Sequence, residues 1–189
     1  MTLKRIFEIS RGAIVILLAP LFLLGGCGVF GKKEPPLPCP PVYLVKQAAF
    51  LTQYQEGGLG DITDVRLRNR IVDFKGECTY KRKNTELTVV LSVVFDMTRG
   101  AANRDRRAEF SYFVAMPKFH PDPAGKRVFG VAANFRENET RKLAVDTVEI
   151  KVPIARKGAL REYAIYIGFQ LTPQQLEDNK RRFDAFQRR

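Results

Sequence analysis

The chain has 189 residues, of which 45% are hydrophobic and 28% charged. That balance provides for one folded domain with appendages and excludes a protein embedded in a membrane throughout its length. The formal net charge of +12 favours anionic neighbours such as phosphorylated lipid head groups, acidic glycans or nucleic acid, although many basic proteins use such charge for solubility alone.

Residues 1–12, MTLKRIFEISRG, are basic, and residues 13–24, AIVILLAPLFLL, form an apolar run interrupted by Pro20. A membrane-spanning helix needs about 20 apolar residues. The shorter run suits the apolar region of a secretory signal. Leu24-Gly25-Gly26-Cys27 comes next. This segment resembles the type II signal peptide of bacterial lipoproteins, whose signature is a leucine, two small residues and a cysteine. The resemblance implies that residues 1–26 are removed and that Cys27 becomes the lipidated first residue. The membrane is then a partner through that lipid. Gly28, where an aspartate would retain the protein at the inner membrane, implies transport to the outer membrane, on its periplasmic face. The chemistry suits these residues: a cysteine thiolate is the nucleophile that accepts the glyceryl group. Each buried acyl methylene contributes about 0.8 kcal/mol, so two or three chains hold where one does not.

Residues 27–41 are expected to form a tether. Five prolines crowd its last seven positions, which favours an extended polyproline II spacer over helix or sheet. Lys32 and Lys33 lie near the anchor, within reach of anionic head groups. The chain holds three cysteines. If Cys27 carries lipid, Cys39 and Cys78 remain. A lipoprotein exported across the inner membrane meets an oxidising compartment, where disulfides persist. A Cys39–Cys78 bridge is the pairing this implies. Two cysteines and the single His120 lack the paired spacing of a zinc site, and neither metal nor cofactor is expected.

Residues 42–172 read as the folded domain. Period-two alternation recurs from about residue 69. The inward sets are Leu87 to Phe95, Phe110 to Met116, Phe129 to Phe135, Val148 to Ile154 and Tyr163 to Leu171, with Asp146 on the same side as Val148. RIVDFKGECTYKR, which contains Cys78, makes an earlier run. Turn clusters separate the runs at Lys83-Asn84, Arg99-Gly100, Pro117 to Gly125, Asn138-Glu139 and Lys157-Gly158. With no helix between them, these strands predict an all-β, antiparallel two-sheet sandwich, immunoglobulin-like or fibronectin-like first and a small closed barrel second. Residues 43–56 stay open between strand and helix. Thr172-Pro173-Gln174-Gln175 carries a cap, a proline at the first helical position and a glutamine at the third. It predicts a basic C-terminal helix over 173–189, with Leu176, Phe183 and Phe186 as a thin apolar stripe.

No nucleophile elbow, phosphate loop or metalloprotease motif is present. His120 sits in a proline-rich loop and reads as a solvated residue. Asp61 and Asp64, in the glycine-rich stretch EGGLGDITDVR, are too few oxygen donors for calcium and read as turn residues bonding nearby backbone. No catalytic residue is expected. The basic loop TRGAANRDRRAEF carries Arg99, Arg104, Arg106 and Arg107, a candidate anion-binding set if it joins adjacent strands at one end of the sandwich. No stacking aromatic motif points to nucleic acid.

The chain also resembles a group of proteobacterial envelope lipoproteins with no assigned reaction. Cys39-Pro40, DITDV at 61–65, Cys78, FSYFVAM at 110–116 and GFQLTPQQL at 168–176 carry the likeness. It implies the class and no mechanism. The first reading is a non-catalytic, lipid-anchored periplasmic module in envelope assembly or maintenance, with an envelope protein as partner. The alternative is a binding module for an anionic glycan or lipid, such as peptidoglycan or lipopolysaccharide. An enzyme whose site the sequence does not display is a third.

Overall fold

The computed structural model describes residues 38–81, 85–154 and 160–188. Cys27 and its flanking motif, the tether up to Leu37, and the turns at Lys83-Asn84 and Lys157-Gly158 lie outside the described residues.

Eight strands form two four-stranded sheets. The first sheet contains β1 (Val42–Leu44), β8 (Ile165–Phe169), β5 (Arg107–Ala115) and β6 (Lys126–Asn134), in that order. The second contains β2 (Phe50–Tyr54), β3 (Val65–Lys81), β4 (Glu86–Arg99) and β7 (Arg141–Pro153), also in that order. The expected two-sheet sandwich is present. One pair departs from an antiparallel sandwich: β1 runs parallel to β8, with Val42 opposite Ile165. The pairing is possible because the entire domain separates these strands and serves as their crossover. The connectivity also has its own pattern. An immunoglobulin domain keeps its strand B and strand C in different sheets. Here the hairpins β3–β4 and β5–β6 each stay within one sheet.

The segment left open at 43–56 is β1, a 3-10 turn over Lys46–Ala48, and β2.

Alternation places one face of every strand in the core. Leu87, Val89, Leu91, Val93, Phe95 and Met97 of β4 are at most 2% exposed. Tyr112, Val114, Ile165, Ile167 and Phe169 meet them from the other sheet. Phe95 is the aromatic bridge between the layers: its ring lies 5.0 Å from Phe110, 5.2 Å from Tyr112 and 5.8 Å from Phe169. Such tilted and edge-to-face pairs add to the value of plain burial. A polar tie crosses the same gap, where the Tyr112 hydroxyl donates to Asp146 Oδ2 at 2.8 Å. Burial first, and Asp146 second, push the Tyr112 phenol far above its ordinary pKa.

Strand β3 is a single long strand with a register shift between Ile71 and Asp73. A bulge inserts one residue and exchanges the two faces. Val65, Leu67, Asn69 and Ile71 are buried before the shift. After it, Phe74, Cys78 and Tyr80 pack on the core. Beyond the bulge Cys78 takes the core-facing side and meets Cys39.

Helix α1 (Pro173–Gln187) begins on the expected capping box. The Gln175 amide donates to Thr172 Oγ1 and the Thr172 amide to Gln175 Oε1. The helix covers the free edge of β2. Asn179 Nδ2 donates to the carbonyls of Gln47 and Phe50, and Gln175 Nε2 donates to that of Thr52. Side-chain donors thus occupy a sheet edge that would otherwise invite pairing with another chain.

Candidate functional site

The disulfide joins Cys39 to Cys78 with a Cα–Cα distance of 5.7 Å. Beside it the Tyr80 hydroxyl donates to the Pro38 carbonyl at 2.5 Å. The end of the proline-rich stretch is therefore fixed to β3 by a covalent bond and a hydrogen bond.

The arginine-rich loop does not form a hairpin tip. It crosses from β4 in one sheet to β5 in the other, so Arg99 and Arg107 start from different layers. Gly100 makes the crossing tight: a Cβ there would lie 2.0 Å from the Val65 carbonyl oxygen. Asn103 is buried and donates to the Arg107 carbonyl. Arg106 adopts a left-handed conformation, with φ of 59°. Asp105 accepts the Arg107 amide at 3.2 Å and pairs with Arg66 at 2.8 Å. The amide first, and Arg66 after it, hold the Asp105 carboxyl below its usual range. The loop thus spends its acid on its own turn. Arg107 lines a polar recess with Arg66, Asp105 and Glu109, where carboxylates and guanidiniums alternate. Arg104 and Arg106 are exposed and do not line that recess.

Asp61 and Asp64 are turn residues. Asp61 Oδ1 accepts from the amide and hydroxyl of Thr63, and Asp64 accepts from the Gly60 amide and from Gln55. Gly57 and Gly60, at φ of 74° and 81°, provide the left-handed positions the turn requires. His120 ends a 3-10 turn over Pro117–Phe119.

The most developed concavity lies elsewhere. A groove of about 790 Å³ runs between α1 and the outward face of the second sheet. Its aromatic walls are Phe50 of β2 and Phe183 of α1, and its basic lining is Lys46, Arg68, Arg70, Arg141 and Arg182. The one carboxylate among the lining residues is Asp96. Asp96 occupies an outward position of β4 yet is 7% exposed. Arg141 grips it through two hydrogen bonds of 2.7 Å, and Arg70 adds a third at 3.0 Å. Register explains the cluster: Arg70 lies directly opposite Asp96, and Arg141 lies opposite Thr98, one diagonal step away. The Arg141 bonds first, then that of Arg70, hold the Asp96 carboxyl below the ordinary carboxylate range.

A pH dependence follows. Because the folded pKa is the lower one, the stability from Asp96 is fully present above the unfolded carboxylate pKa of about 3.9. It is lost as pH falls through the folded value. The gap in urea midpoint between the native chain and Asp96→Asn should stay constant from pH 7 down to roughly 4, then shrink on further acidification. A gap that remained constant below that point would show that the carboxylate charge contributes nothing.

Of these groove residues the sequence pointed only to Phe183, in the helix's apolar stripe, and to Arg182, in its basic end. The groove residues come from the turn before β2, from β2, β3, β4 and β7, and from the helix, and no local spacing connects them. The one further hint was an acidic residue, Asp96, inside the strongly apolar run of β4.

No family model, curated protein or solved structure matches the chain.

Proposed function

We propose that this chain is a non-catalytic, lipid-anchored lipoprotein of the cell envelope. Its sandwich acts as an interaction module, held by lipid on Cys27 at the outer membrane and facing the periplasm. The observation that carries the reading is the Cys39–Cys78 disulfide. A structural disulfide suits an oxidising compartment, and it leaves Cys27 of the lipobox-like motif as the third cysteine of the chain. A stapled spacer has a mechanical use only if something holds its other end.

Metabolic labelling with a fatty acid tests the anchor. The native chain should incorporate label, and Cys27→Ala should not. Undiminished labelling of Cys27→Ala would overturn the reading.

A second reading, an anionic glycan or lipid held by Arg99, Arg104, Arg106 and Arg107, draws support from the exposure of Arg104 and Arg106. Asp105 and Glu109 beside Arg107 weaken it as a clamp. Retention of peptidoglycan fragments or lipopolysaccharide by the chain with Arg104, Arg106 and Arg107 changed to Ser would separate the two readings.

A further inference from the structure

We propose that the groove beneath α1 binds a single-chain lipid with a phosphate head group. The phosphate sits at Arg68 and Arg182, and the acyl chain lies against Phe50 and Phe183. The inference goes beyond the anchored-module reading and does not require lipid on Cys27.

Charge is the first argument. Five cations line the groove against a single carboxylate. Asp96 engages Arg70 and Arg141 and fixes their guanidiniums in place. Lys46 holds its ammonium 5.9 Å from the centre of the Phe183 ring. Among the described residues, Arg68 and Arg182 have neither a carboxylate nor a hydrogen-bond acceptor, although both line the same concavity. Guanidiniums bind phosphate oxygens in pairs. An unneutralised pair beside an already anchored pair is arranged for an anion larger than a chloride ion.

Apolar surface is the second argument. A bare phosphate has no use for aromatic walls, yet Phe50 is 50% exposed in the groove. Across the Arg70–Asp96 pair, on edge strand β7, the outward face is apolar again. Leu143 lies opposite Asp96 and Val145 opposite Val94, and the two are 61% and 65% exposed. A chain laid against Phe50 and Phe183 buries methylenes that each contribute about 0.8 kcal/mol. The volume of about 790 Å³ falls within the range of small-molecule pockets.

The test is native mass spectrometry of the full chain in non-ionic detergent, with lysophosphatidate as the probe. Lysophosphatidylcholine and inorganic phosphate serve as comparisons. One lysophosphatidate should be retained per chain, and lysophosphatidylcholine should bind about tenfold more weakly or worse. Arg68→Ser with Arg182→Ser should weaken retention by a similar factor, whereas Arg104→Ser with Arg106→Ser should not. Phe50→Ser, at an exposed position, should also weaken it, and it replaces the double variant should that one unfold. Repeating the series in Cys27→Ala separates loss of the anchor from loss of the groove. Equal retention of the two lipids, competition by inorganic phosphate at equal concentration, or unchanged retention by the Arg68/Arg182 and Phe50 variants would overturn the proposal. So would an equal loss in the Arg104/Arg106 variant, which would mark general attraction to a basic protein.

Discussion

Cys39→Ser combined with Cys78→Ser is expected to lower the unfolding free energy by about 4 kcal/mol. The bridge spans a sequence separation of 39 residues, and on the chain-entropy account most of the effect lies in the unfolded state, which gains freedom once the loop opens. The folded state also loses a support. β1 begins at Val42, three residues past Cys39, and is only three residues long. With a urea slope of about 1–3 kcal/mol per molar, the midpoint should fall by roughly 2 M. Tyr80→Phe, which removes only the hydrogen bond to Pro38, should cost about 1 kcal/mol or less. A loss for the double serine variant no larger than that of Tyr80→Phe would show that core packing alone fixes residues 38–41.

Phe95→Ala should cost about 3–5 kcal/mol, the range for truncating a fully buried phenylalanine. The ring is 0% exposed and touches Phe110, Tyr112 and Phe169 from the opposite sheet. Its removal opens a cavity at the point where the layers meet, and β-sheets held by their own hydrogen bonds cannot collapse far to fill it. Val145→Ala, on the outward face of the same sheet and 65% exposed, should change stability by less than about 0.5 kcal/mol. Comparable losses in thermal or urea unfolding for the two would mean that the inter-sheet aromatic cluster is not the centre of the core.

Strand alternation was readable where it runs unbroken along a strand. β4 lies between β3 and β7, and its inward set from Leu87 to Phe95 is buried as the pattern requires. β6 is an edge strand, and its matching set, Phe129, Val131 and Ala133, is only partly buried. The helix cap was readable because Thr172 and Gln175 act within one turn. The β3 bulge was not, since a face exchange inside a strand resembles a loss of period. The parallel β1–β8 pair was also invisible: three residues carry little pattern, and nothing local names a partner at the far end of the chain. The same physics hid the groove. Arg68, Asp96 and Arg141 are neighbours across strands, and Arg182 lines the same groove from the helix, so their association exists only after folding. The arginine loop stood out for the opposite reason. Its charge is dense in sequence, whereas the crossing between sheets, held by Asn103 and Asp105, disperses it in space.

The pairing of β1 with β8 orders events in time. A chain that emerges amino terminus first, from a ribosome or through an export channel, releases Cys39, β3 and β4 early. The staple and one hairpin can then form from roughly the first half of the chain. Val42 has no strand to join until Ile165 arrives, and α1 cannot cover β2 until still later. The amino-terminal end is therefore the first part of the domain to be tied and among the last to be seated. Through most of that interval the domain exposes an unpaired strand edge at β2, the kind of surface that folding factors exist to shield.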